Sequence, residues 1–371
     1  MSDIEILKTA DPAALAGYDA IIDVRSPSEF AEDHIPGAIS LPVLSDAERA
    51  TVGTIYVQES RFRARRIGAA LIARNIAGYL ERELADRGGD FRPLIYCWRG
   101  GQRSGAMATI LSQVGWRTGV IAGGYKTYRR HVRERLYDHD WPLEAILLEG
   151  RTGTGKTEIL HKLAARGVQI VDLEALANHR GSVFGGIGLG EQPSQKMFES
   201  RLLATMEALD PALPVVFEAE SSKVGDRMIP PGPWRAMHSA RRIAIEAPLA
   251  ARAEYLATRY GGVIANRDAF ELALARLPAF PGRKAIAHWR TLADADDLVA
   301  IAADLTENHY DPAYDRTNRK DERPRLAAIA LQGLAEADLE QAADRVAALL
   351  IQAEVSGASA AHRRSAPAAM S

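Results

Sequence analysis

The hydrophobic positions in the first 130 or so residues form short apolar runs separated by longer amphipathic stretches. Strand-like runs lie at 20–24, 93–97 and 119–123, and residues 66–88 have the apolar spacing of a helix. Strands that alternate with helices favour a parallel sheet. We therefore expect an α/β domain in this part of the chain.

A second series of apolar runs predicts another α/β unit. Its predicted strands are residues 144–150, 167–176, 213–220 and 241–247. A helix is predicted from Thr157, and from Arg267 onward the spacing is mainly helical.

The boundary between the two units is expected at about residue 140. Residues 125–142 have the pattern of a charged helix that stops near Pro142. The predicted domains are therefore residues 1–140 and 141–355. Small residues dominate the segment 356–371, which we expect to be a disordered tail.

Composition limits the kinds of protein that fit. With 371 residues, 47% of them hydrophobic, the chain has enough apolar material for two cores. Its net charge of -2 argues against binding a polyanion through overall charge, so any nucleic acid must be bound by a local basic patch. The sequence shows no signal peptide and no apolar stretch of about 18 residues, so we expect a cytoplasmic protein without a membrane partner.

The chain has a single cysteine, Cys97, at the end of the apolar run 93–97. One cysteine excludes an internal disulfide and a Cys-x-x-Cys metal pair, and it fits a reducing compartment. Residues 103–115 have helical spacing, so the thiol is expected beside backbone N–H groups at a helix N-terminus. With Arg99 and Arg103 nearby, we expect a lowered pKa for Cys97 and a nucleophilic thiolate; an inert core cysteine is the alternative.

The Cys97 loop is preceded by the segments D-V-R-x-x-x-E-F and H-I-P-G-A, and the first 130 or so residues resemble a rhodanese domain. The residues that match its motif are Asp23, Arg25, Glu29, His34, Pro36 and Gly37. The resemblance implies that Cys97 is the sulfur-carrying residue. We expect most of the other matching residues to be structural, with Asp23 and Arg25 tying loops together.

The spacing between Cys97 and Arg103 departs from the usual rhodanese pattern. That loop has the form C-x-x-G-x-R, whereas this one is C-x5-R. The longer spacing also occurs in cysteine phosphatases, where the loop surrounds an oxyanion and the arginine donates two hydrogen bonds. A phosphatase is therefore an alternative, although residues 98–102 contain no acidic residue to act as a general acid. The same loop suits a phosphate-bearing chalcogen donor.

Residues 150–157, G-R-T-G-T-G-K-T, match a phosphate-binding loop between an apolar strand and a helix. The residues expected around the phosphates are Gly150, Thr152, Gly153, Thr154, Gly155, Lys156 and Thr157. The glycines allow close approach of backbone N–H groups, Lys156 supplies a positive charge, and the Thr157 hydroxyl can bind Mg²⁺. The motif predicts a diphosphate site without identifying what the diphosphate carries.

Acidic residues near the ends of neighbouring predicted strands are candidates for binding or surrounding a metal. They are Asp172, Glu218 and Glu220. Neither strand has the apolar run closed by aspartate that is usual in ATP-hydrolysing motors, so a motor is disfavoured.

Taken in order, the two motifs and the segments around them resemble the tRNA 2-selenouridine synthase family. The matching segments are residues 96–105, 123–129, 150–157, 178–186, 217–226 and 310–316. The resemblance covers most of the chain and adds little over the final 50 or so residues. It implies an α/β fold, with an N-terminal rhodanese-like parallel-sheet domain followed by a P-loop NTPase-like α/β domain that has a helical C-terminal part.

The resemblance also implies an enzyme that modifies tRNA. In this family the sulfur of a wobble 2-thiouridine is replaced by selenium from selenophosphate, after S-geranylation by geranyl diphosphate. We expect Lys156, with Mg²⁺, to neutralise the departing diphosphate. Cys97 is expected to act in the selenium step, either as a perselenide or by positioning selenophosphate beside Arg99 and Arg103. An enzyme that supplies selenophosphate is a candidate partner.

A tRNA substrate requires a basic surface, and three segments are candidates. They are residues 61–66 with Arg61, Arg63, Arg65 and Arg66, residues 126–135 with Lys126, Arg129, Arg130, Arg133 and Arg135, and residues 316–325. We favour the second segment, because it lies between the two predicted domains.

Other functions are compatible with the same motifs. One is a rhodanese-type sulfurtransferase fused to a kinase-like domain, and another is a C-x5-R phosphatase with a regulatory nucleotide-binding domain. A non-enzymatic alternative is an RNA or nucleotide sensor with an inert cysteine loop.

Overall fold

The computed structural model describes residues 4–179, 190–218, 221–275, 277, 282–318 and 321–364. The strands are β1 (Glu5–Leu7), β2 (Ala20–Asp23), β3 (Ile39–Ser40), β4 (Pro93–Tyr96), β5 (Gly119–Ile121), β6 (Ala145–Gly150), β7 (Gln169–Val171), β8 (Val215–Glu218), β9 (Lys223–Val224), β10 (Arg227–Met228), β11 (Arg241–Glu246) and β12 (Arg325–Ala330).

The α-helices are α1 (Pro12–Leu15), α2 (Pro27–Glu32), α3 (Asp46–Gln58), α4 (Arg61–Glu81), α5 (Gln102–Val114), α6 (Tyr125–Arg133), α7 (Lys156–Ala165), α8 (Leu173–Leu176), α9 (Gln195–Glu207), α10 (Pro231–His238), α11 (Leu249–Ala265), α12 (Arg267–Ala275), α13 (Arg283–Asp294), α14 (Leu298–Leu305), α15 (Asp311–Asn318) and α16 (Glu336–Arg364). Short π-helical segments follow α6 and α14. In the part of the chain described, no helix has the length and apolar character needed to cross a membrane.

The chain divides into two compact units. Unit 1 consists of residues 1–139 and 193–207, and unit 2 of residues 140–192 and 208–371. Helix α9 therefore belongs to unit 1, where Glu199 forms an ion pair with Arg129 and accepts a hydrogen bond from the Tyr137 hydroxyl.

Unit 1 contains a five-stranded parallel sheet with the order β1-β5-β4-β2-β3. Its core is formed by apolar side chains of the sheet and of α4 and α5, including Ile22, Ile95, Ile76 and Met107. The predicted parallel α/β fold is confirmed here. Because β4 is the middle strand, Cys97, which follows it directly, lies at the centre of the carboxyl edge of the sheet.

Unit 2 contains a second five-stranded parallel sheet, with the order β12-β11-β6-β8-β7. Its middle strand, β6, leads into the predicted phosphate loop and then into α7. Strand β12 is an addition to the mainly helical pattern expected after Arg267. Its sequence, R-L-A-A-I-A, is rich in alanine, which does not favour strands, so pairing with β11 decides its conformation.

The last helix reaches into the segment that we expected to be a disordered tail. Helix α16 extends to Arg364, and residues 365–371 lie outside the described residues. Its first half packs on the core of unit 2 through Leu339, Ala343 and Val346.

Candidate functional site

The Cys97 loop is closed by the segment 123–129. Tyr125 N–H donates to the carbonyl oxygen of Cys97 at 2.7 Å. Gly124 has φ +59°, and a Cβ atom there would lie 2.1 Å from the same oxygen. Gly100 has φ +64° and lies against the backbone of Gly123 and Gly124. Glycine is therefore required on both sides of this contact.

The Cys97 thiol is 3% exposed and hydrogen-bonded inside its loop. Its Sγ atom lies 3.2 Å from Ser104 Oγ and accepts a hydrogen bond from Gly101 N–H at 3.3 Å. Burial raises the pKa of Cys97, but hydrogen bonds from Ser104 and from the backbone N–H groups of Gly101 and Arg99 outweigh it, so the pKa is lowered. The predicted direction is confirmed. The causes that lower it are hydrogen bonds from the Ser104 side chain and from backbone N–H groups, as expected for the backbone, and no arginine charge is among them.

Arg103 is engaged by an acid. Its guanidinium donates to Glu29 Oε2 at 2.8 Å, and Glu29 also forms an ion pair with Arg49 at 3.2 Å. Burial raises the pKa of Glu29, but the hydrogen bond and charge of Arg103 outweigh it, so the net shift is downward. Arg99, in contrast, is exposed. The loop therefore has one exposed cation and one that is neutralised by a carboxylate.

A network of buried polar side chains packs against the Cys97 loop. Arg25 forms an ion pair with Asp23 at 2.6 Å, donates to the carbonyl oxygen of Asp33 and stacks over the Tyr125 ring. The Tyr125 hydroxyl donates to Asp33 Oδ2 at 2.6 Å. The expectation that Asp23 and Arg25 tie loops together is confirmed.

The contacts of His34 are also those of a structural residue. Its Nδ1 atom lies 2.8 Å from the Phe30 carbonyl oxygen, and its ring stacks on the Phe30 ring. Pro36 and Gly37 form a turn in which Gly37 has φ +82°.

The phosphate loop has the backbone that its motif predicts. Gly153 and Gly155 have φ of +84° and +75°. The ammonium group of Lys156 donates to the Gly150 carbonyl oxygen at 2.8 Å, which joins the two ends of the loop. Thr154 is buried and donates to the Arg151 carbonyl oxygen, and Thr152 is half-buried. Helix α7 begins at Lys156, so its free N–H groups face this loop.

Two arginines connect the phosphate loop to α15. Arg151 forms ion pairs with Asp311 and Asp315, and the buried Arg252 binds Asp311 at 2.7 Å. Arg252 also donates to the Thr152 carbonyl oxygen at 3.2 Å. The segment 310–316 therefore supports the loop through its aspartates.

The candidate metal-binding acids have different environments. Glu218 is buried at the end of β8, beside β6. Burial raises the pKa of Asp172, but hydrogen bonds with Glu218, Ala175 N–H and His161 outweigh it, so the pKa is lowered. Asp172 caps the N-terminus of α8, so its carboxylate already accepts a hydrogen bond from the Ala175 N–H group. Glu220 lies outside the described residues.

The donor atoms near Thr157 suit a magnesium ion that is also held by phosphate. The Thr157 hydroxyl donates to Glu174 Oε2 at 3.3 Å, which places a hydroxyl and a carboxylate together. Mg²⁺ binds oxygen ligands and takes its remaining ligands from phosphates and water. No cluster of three or more His, Cys, Asp or Glu side chains with metal-binding geometry occurs in the described part of the chain.

A cavity of about 430 Å³ opens beside the phosphate loop in unit 2. It is lined by Gly150, Arg151 and Thr154 of the loop, by the end of β11, and by Tyr314 and Arg325. This size falls within the usual range for a small-molecule site. A substrate whose diphosphate occupies the loop therefore has adjoining space.

The candidate basic segments differ in how many of their cationic side chains form ion pairs with carboxylates. Helix α4 exposes Arg61, Arg63, Arg65 and Arg66, of which Arg63 pairs with Glu59. Helix α6 exposes Lys126, Arg130 and Arg133, whereas Arg129 is paired with Glu199 and Asp33, and Arg135, in the π-helical segment after α6, with Glu207. In the third segment, Arg323 and Arg325 pair with Asp321 and Glu149, while residues 319–320 lie outside the described residues.

Sequence reasoning missed two residues of these sites and gave a third only a structural role. Ser104 contacts the thiol, Arg252 holds the phosphate loop, and Glu29 binds Arg103. The position of Ser104 directly after Arg103 was an available signal. The role of Arg252 had no local signal, because it depends on a contact 100 residues away in sequence.

Comparison with known families agrees with this division into two sites. Residues 8–131 match the rhodanese-like domain model, and residues 143–273 match the model described as the tRNA 2-selenouridine synthase AAA domain. The fold and the two loops thus define a protein with a rhodanese-like unit and a P-loop unit.

Curated proteins named tRNA 2-selenouridine synthase are similar over both units. The one from Psychromonas ingrahamii is 32% identical over 255 residues, which cover 68% of each chain. The one from Nitrosomonas europaea is 34% identical over 248 residues, or 65% of this chain and 63% of that protein. The protein described here belongs to the tRNA 2-selenouridine synthase family. The alignments to the relatives from Nitrosomonas europaea, Nitrosomonas eutropha and Bdellovibrio bacteriovorus span 61–63% of their length. The segment 178–186, which carried part of the resemblance, lies outside the described residues from 180 onward.

Proposed function

We propose that this protein is an enzyme that replaces the sulfur of wobble 2-thiouridine in tRNA by selenium. One observation carries the proposal. A single chain of this family contains a hydrogen-bonded thiol in the loop of one unit and a phosphate loop in the other unit. Each loop suits one of two successive steps.

The first step is S-geranylation at the phosphate loop. The thiocarbonyl sulfur of 2-thiouridine attacks carbon 1 of geranyl diphosphate, so an S–C bond forms as the C–O bond to diphosphate breaks. The diphosphate leaves with the electron pair, and the uracil loses its N3 proton. Lys156 and the N–H groups of residues 153–157 bind the charge that develops on the leaving oxygen. Thr157 and Glu174 would hold a Mg²⁺ ion there, and such an ion would supply further positive charge to the diphosphate.

The second step is selenation at the Cys97 loop, with selenophosphate as the donor. Alkylation converts the thiocarbonyl sulfur into a thiol leaving group. Selenophosphate attacks C2 of the base through its selenium, so a C–Se bond forms as the C2–S bond breaks and geranylthiolate leaves with the electron pair and takes up a proton. Water then cleaves the Se–P bond, which releases phosphate and leaves 2-selenouridine. The exposed Arg99 offers a positive charge to a selenium-bearing anion, and Gly101 N–H holds the Cys97 thiol within the same loop. An enzyme that makes selenophosphate is the partner required upstream.

The experiment uses purified full-length protein, tRNA with 2-thiouridine, geranyl diphosphate and selenophosphate. Nucleosides are released by digestion and identified by mass spectrometry. Lys156→Ala should lower S-geranylation by at least about 100-fold, because it removes the positive charge that neutralises the departing diphosphate. Cys97→Ser should still produce S-geranyl-2-thiouridine and should yield no 2-selenouridine.

Lys162→Ala is the matched control for Lys156→Ala. Lys162 lies on the same helix, α7, but binds Glu336 and Glu340. It should geranylate tRNA like the wild type. Normal geranylation by Lys156→Ala, or normal selenation by Cys97→Ser, would remove the corresponding step from its site. If the wild-type protein neither retains tRNA nor consumes geranyl diphosphate, the proposed function is wrong.

The phosphatase alternative is tested in the same preparation. Arg103 is bound to Glu29, so a phosphate ester would have to compete with a carboxylate for this guanidinium. We therefore expect no hydrolysis of an aryl phosphate. Hydrolysis that is lost in Cys97→Ser would favour a phosphatase instead.

A further inference from the structure

Large apolar side chains are exposed together at one place in unit 1. They are Tyr56, Val57 and Phe62, which are 43%, 83% and 76% exposed. All three lie at the turn between α3 and α4. Single exposed apolar residues are common, but a cluster of them marks a binding surface.

Helices α3 and α4 pack on each other as a hairpin that ends at this turn. Ile55 and Ala64 are buried between them, and Gly68 lets α4 approach Val52 closely. At the base, the Asn75 side chain donates to the Val43 carbonyl oxygen at 3.0 Å and to Glu48. The exposed aromatics are therefore carried by two helices that pack closely on each other, and their exposure is not a result of loose packing.

The hairpin starts beside the Cys97 loop. Asp46, the first residue of α3, accepts hydrogen bonds from Ser28, and Arg49 pairs with Glu29, the carboxylate that also binds Arg103. Helix α3 has 13 residues and so extends about 20 Å from this point.

The tip projects past the edge of the sheet that carries Cys97. Helices α3 and α4 connect β3 to the parallel strand β4, and α4 leads from the tip into β4. Because the chain must return to the amino end of β4, α4 runs antiparallel to the strands and begins on the side of their carboxyl ends. Only its second half, with Ile72 and Ile76, packs in the sheet core. Its first ten or so residues, about 15 Å of helix, therefore extend beyond the sheet on the side of the thiol.

The tip is strongly basic in a chain whose net charge is -2. Residues 56–66 contain four arginines and one glutamate, and this glutamate, Glu59, pairs with Arg63. The Arg61 guanidinium lies over the Tyr56 ring at 5.6 Å. Arg65 and Arg66 are exposed and follow Phe62 by three and four positions, which places them on the same side of the helix.

We propose that this hairpin tip, defined by Tyr56, Phe62, Arg65 and Arg66, binds unpaired nucleotides of the tRNA substrate. The aromatic rings stack on bases, and the arginines bind the neighbouring phosphates. Charge complementarity selects RNA, since aromatics interleaved with cations suit a polyanion with flat bases. The inference rests on the proposed function and adds to it a surface that holds the RNA on the side of Cys97.

The test measures equilibrium binding of labelled 2-thiouridine tRNA to the full chain at fixed salt. Phe62→Ala and Tyr56→Ala should each weaken binding by about tenfold, the effect of losing one stacked base. Phe62→Trp should bind at least as tightly as the wild type, and its added indole fluorescence should be quenched by tRNA. Phe62→Leu should bind as weakly as Phe62→Ala, because leucine is apolar but cannot stack. Arg65→Gln should reduce the salt dependence of log Kd by about one.

Val114→Ala and Arg117→Ala are the matched controls. Val114 is 51% exposed at the end of α5, and Arg117 is exposed just after it. Both variants should bind tRNA like the wild type. The tip residues are exposed, so their variants should keep the wild-type unfolding midpoint.

The outcomes separate this inference from the proposed function. If the wild type binds tRNA and Phe62→Ala binds it equally well, the tip is not the RNA surface, while the proposed function stands. If the wild type does not bind tRNA, the proposed function itself fails. If Phe62→Leu retains and Phe62→Ala loses binding to phosphatidylglycerol vesicles, with tRNA binding unchanged in both, the tip is a lipid surface and the inference is overturned.

Discussion

The loops at 97–103 and 150–157 share a backbone plan but carry different charges. Each follows the middle strand of a five-stranded parallel sheet and leads into a helix, and each contains glycine with positive φ. In unit 1, Arg103 is bound by Glu29, whereas in unit 2 Lys156 donates to a neutral carbonyl oxygen. The same geometry therefore surrounds a hydrogen-bonded thiol in one unit and, in the other, leaves a positive charge that no carboxylate in the described part of the chain neutralises, which is the charge we propose binds a diphosphate.

The largest expected effect concerns how tightly each loop is closed. Gly124→Ala places a Cβ atom 2.1 Å from the Cys97 carbonyl oxygen, which is backbone and cannot turn away. We expect it to lower the free energy of unfolding by about 3 kcal/mol. Gly155→Ala in the phosphate loop meets the flexible Leu339 side chain, so it should cost less. Urea unfolding followed by tryptophan fluorescence measures both.

Gly115→Ala is the control for backbone strain without a clash. Gly115 also has positive φ, at +111°, but a Cβ atom there meets open space. It should cost about 1 kcal/mol. If Gly124→Ala is no more destabilising than Gly115→Ala, the Cys97 loop is not closed by this contact.

The second prediction concerns the source of thiol reactivity. Hydrogen bonds, above all from Ser104, oppose the effect of burial and lower the pKa of Cys97. Ser104→Ala removes a hydrogen bond that lowers the pKa of Cys97, so the pH midpoint of alkylation by iodoacetamide should rise. Ser112→Ala, on the same helix but bonded to the Thr109 carbonyl oxygen, should leave that midpoint unchanged. Equal midpoints for wild type and Ser104→Ala would assign the lowered pKa to another group.

The third prediction tests whether the charge of Arg103 is neutralised. The pKa of Glu29 is lowered, since Arg103 outweighs the effect of burial. A carboxyl whose pKa is lower when folded stabilises the protein above its unfolded pKa, and this stabilisation is lost as the pH falls through the folded value. Glu29→Gln should therefore lower the free energy of unfolding by about 1–2 kcal/mol at pH 7, and this difference should fade below about pH 4.

The control for this titration is Glu81→Gln, at the exposed end of α4. Its unfolding free energy should follow the wild type at every pH. A deficit in Glu29→Gln that is the same at pH 7 and pH 3 would show that Glu29 acts through packing and not through its charge.

Local patterns were sufficient to predict the elements that carry the two loops. The apolar runs before Cys97 and Gly150 are β4 and β6, because strands buried on both faces in a parallel sheet have continuous apolar sequences. The glycines and Lys156 were identifiable because a phosphate loop is contiguous in sequence. The elements that could not be predicted depend on distant contacts. Strand β12 is specified by pairing with β11, and α9 is assigned to unit 1 by contacts with residues more than 60 positions away.

The smallest expected effect compares two aspartates that support the phosphate loop. Asp315 binds Arg151 where both side chains are exposed, at 38% and 44%, so Asp315→Asn should change the free energy of unfolding by no more than about 0.5 kcal/mol. Asp311 also binds the buried Arg252, so Asp311→Asn should cost about 2 kcal/mol by leaving that cation poorly paired. Urea unfolding compares the two, and similar costs would contradict this order. Because Arg252 also donates to the Thr152 carbonyl oxygen, only Asp311→Asn should weaken the diphosphate binding that we propose for this loop, which would assign the support of the loop to its buried ion pair and not to its surface pair.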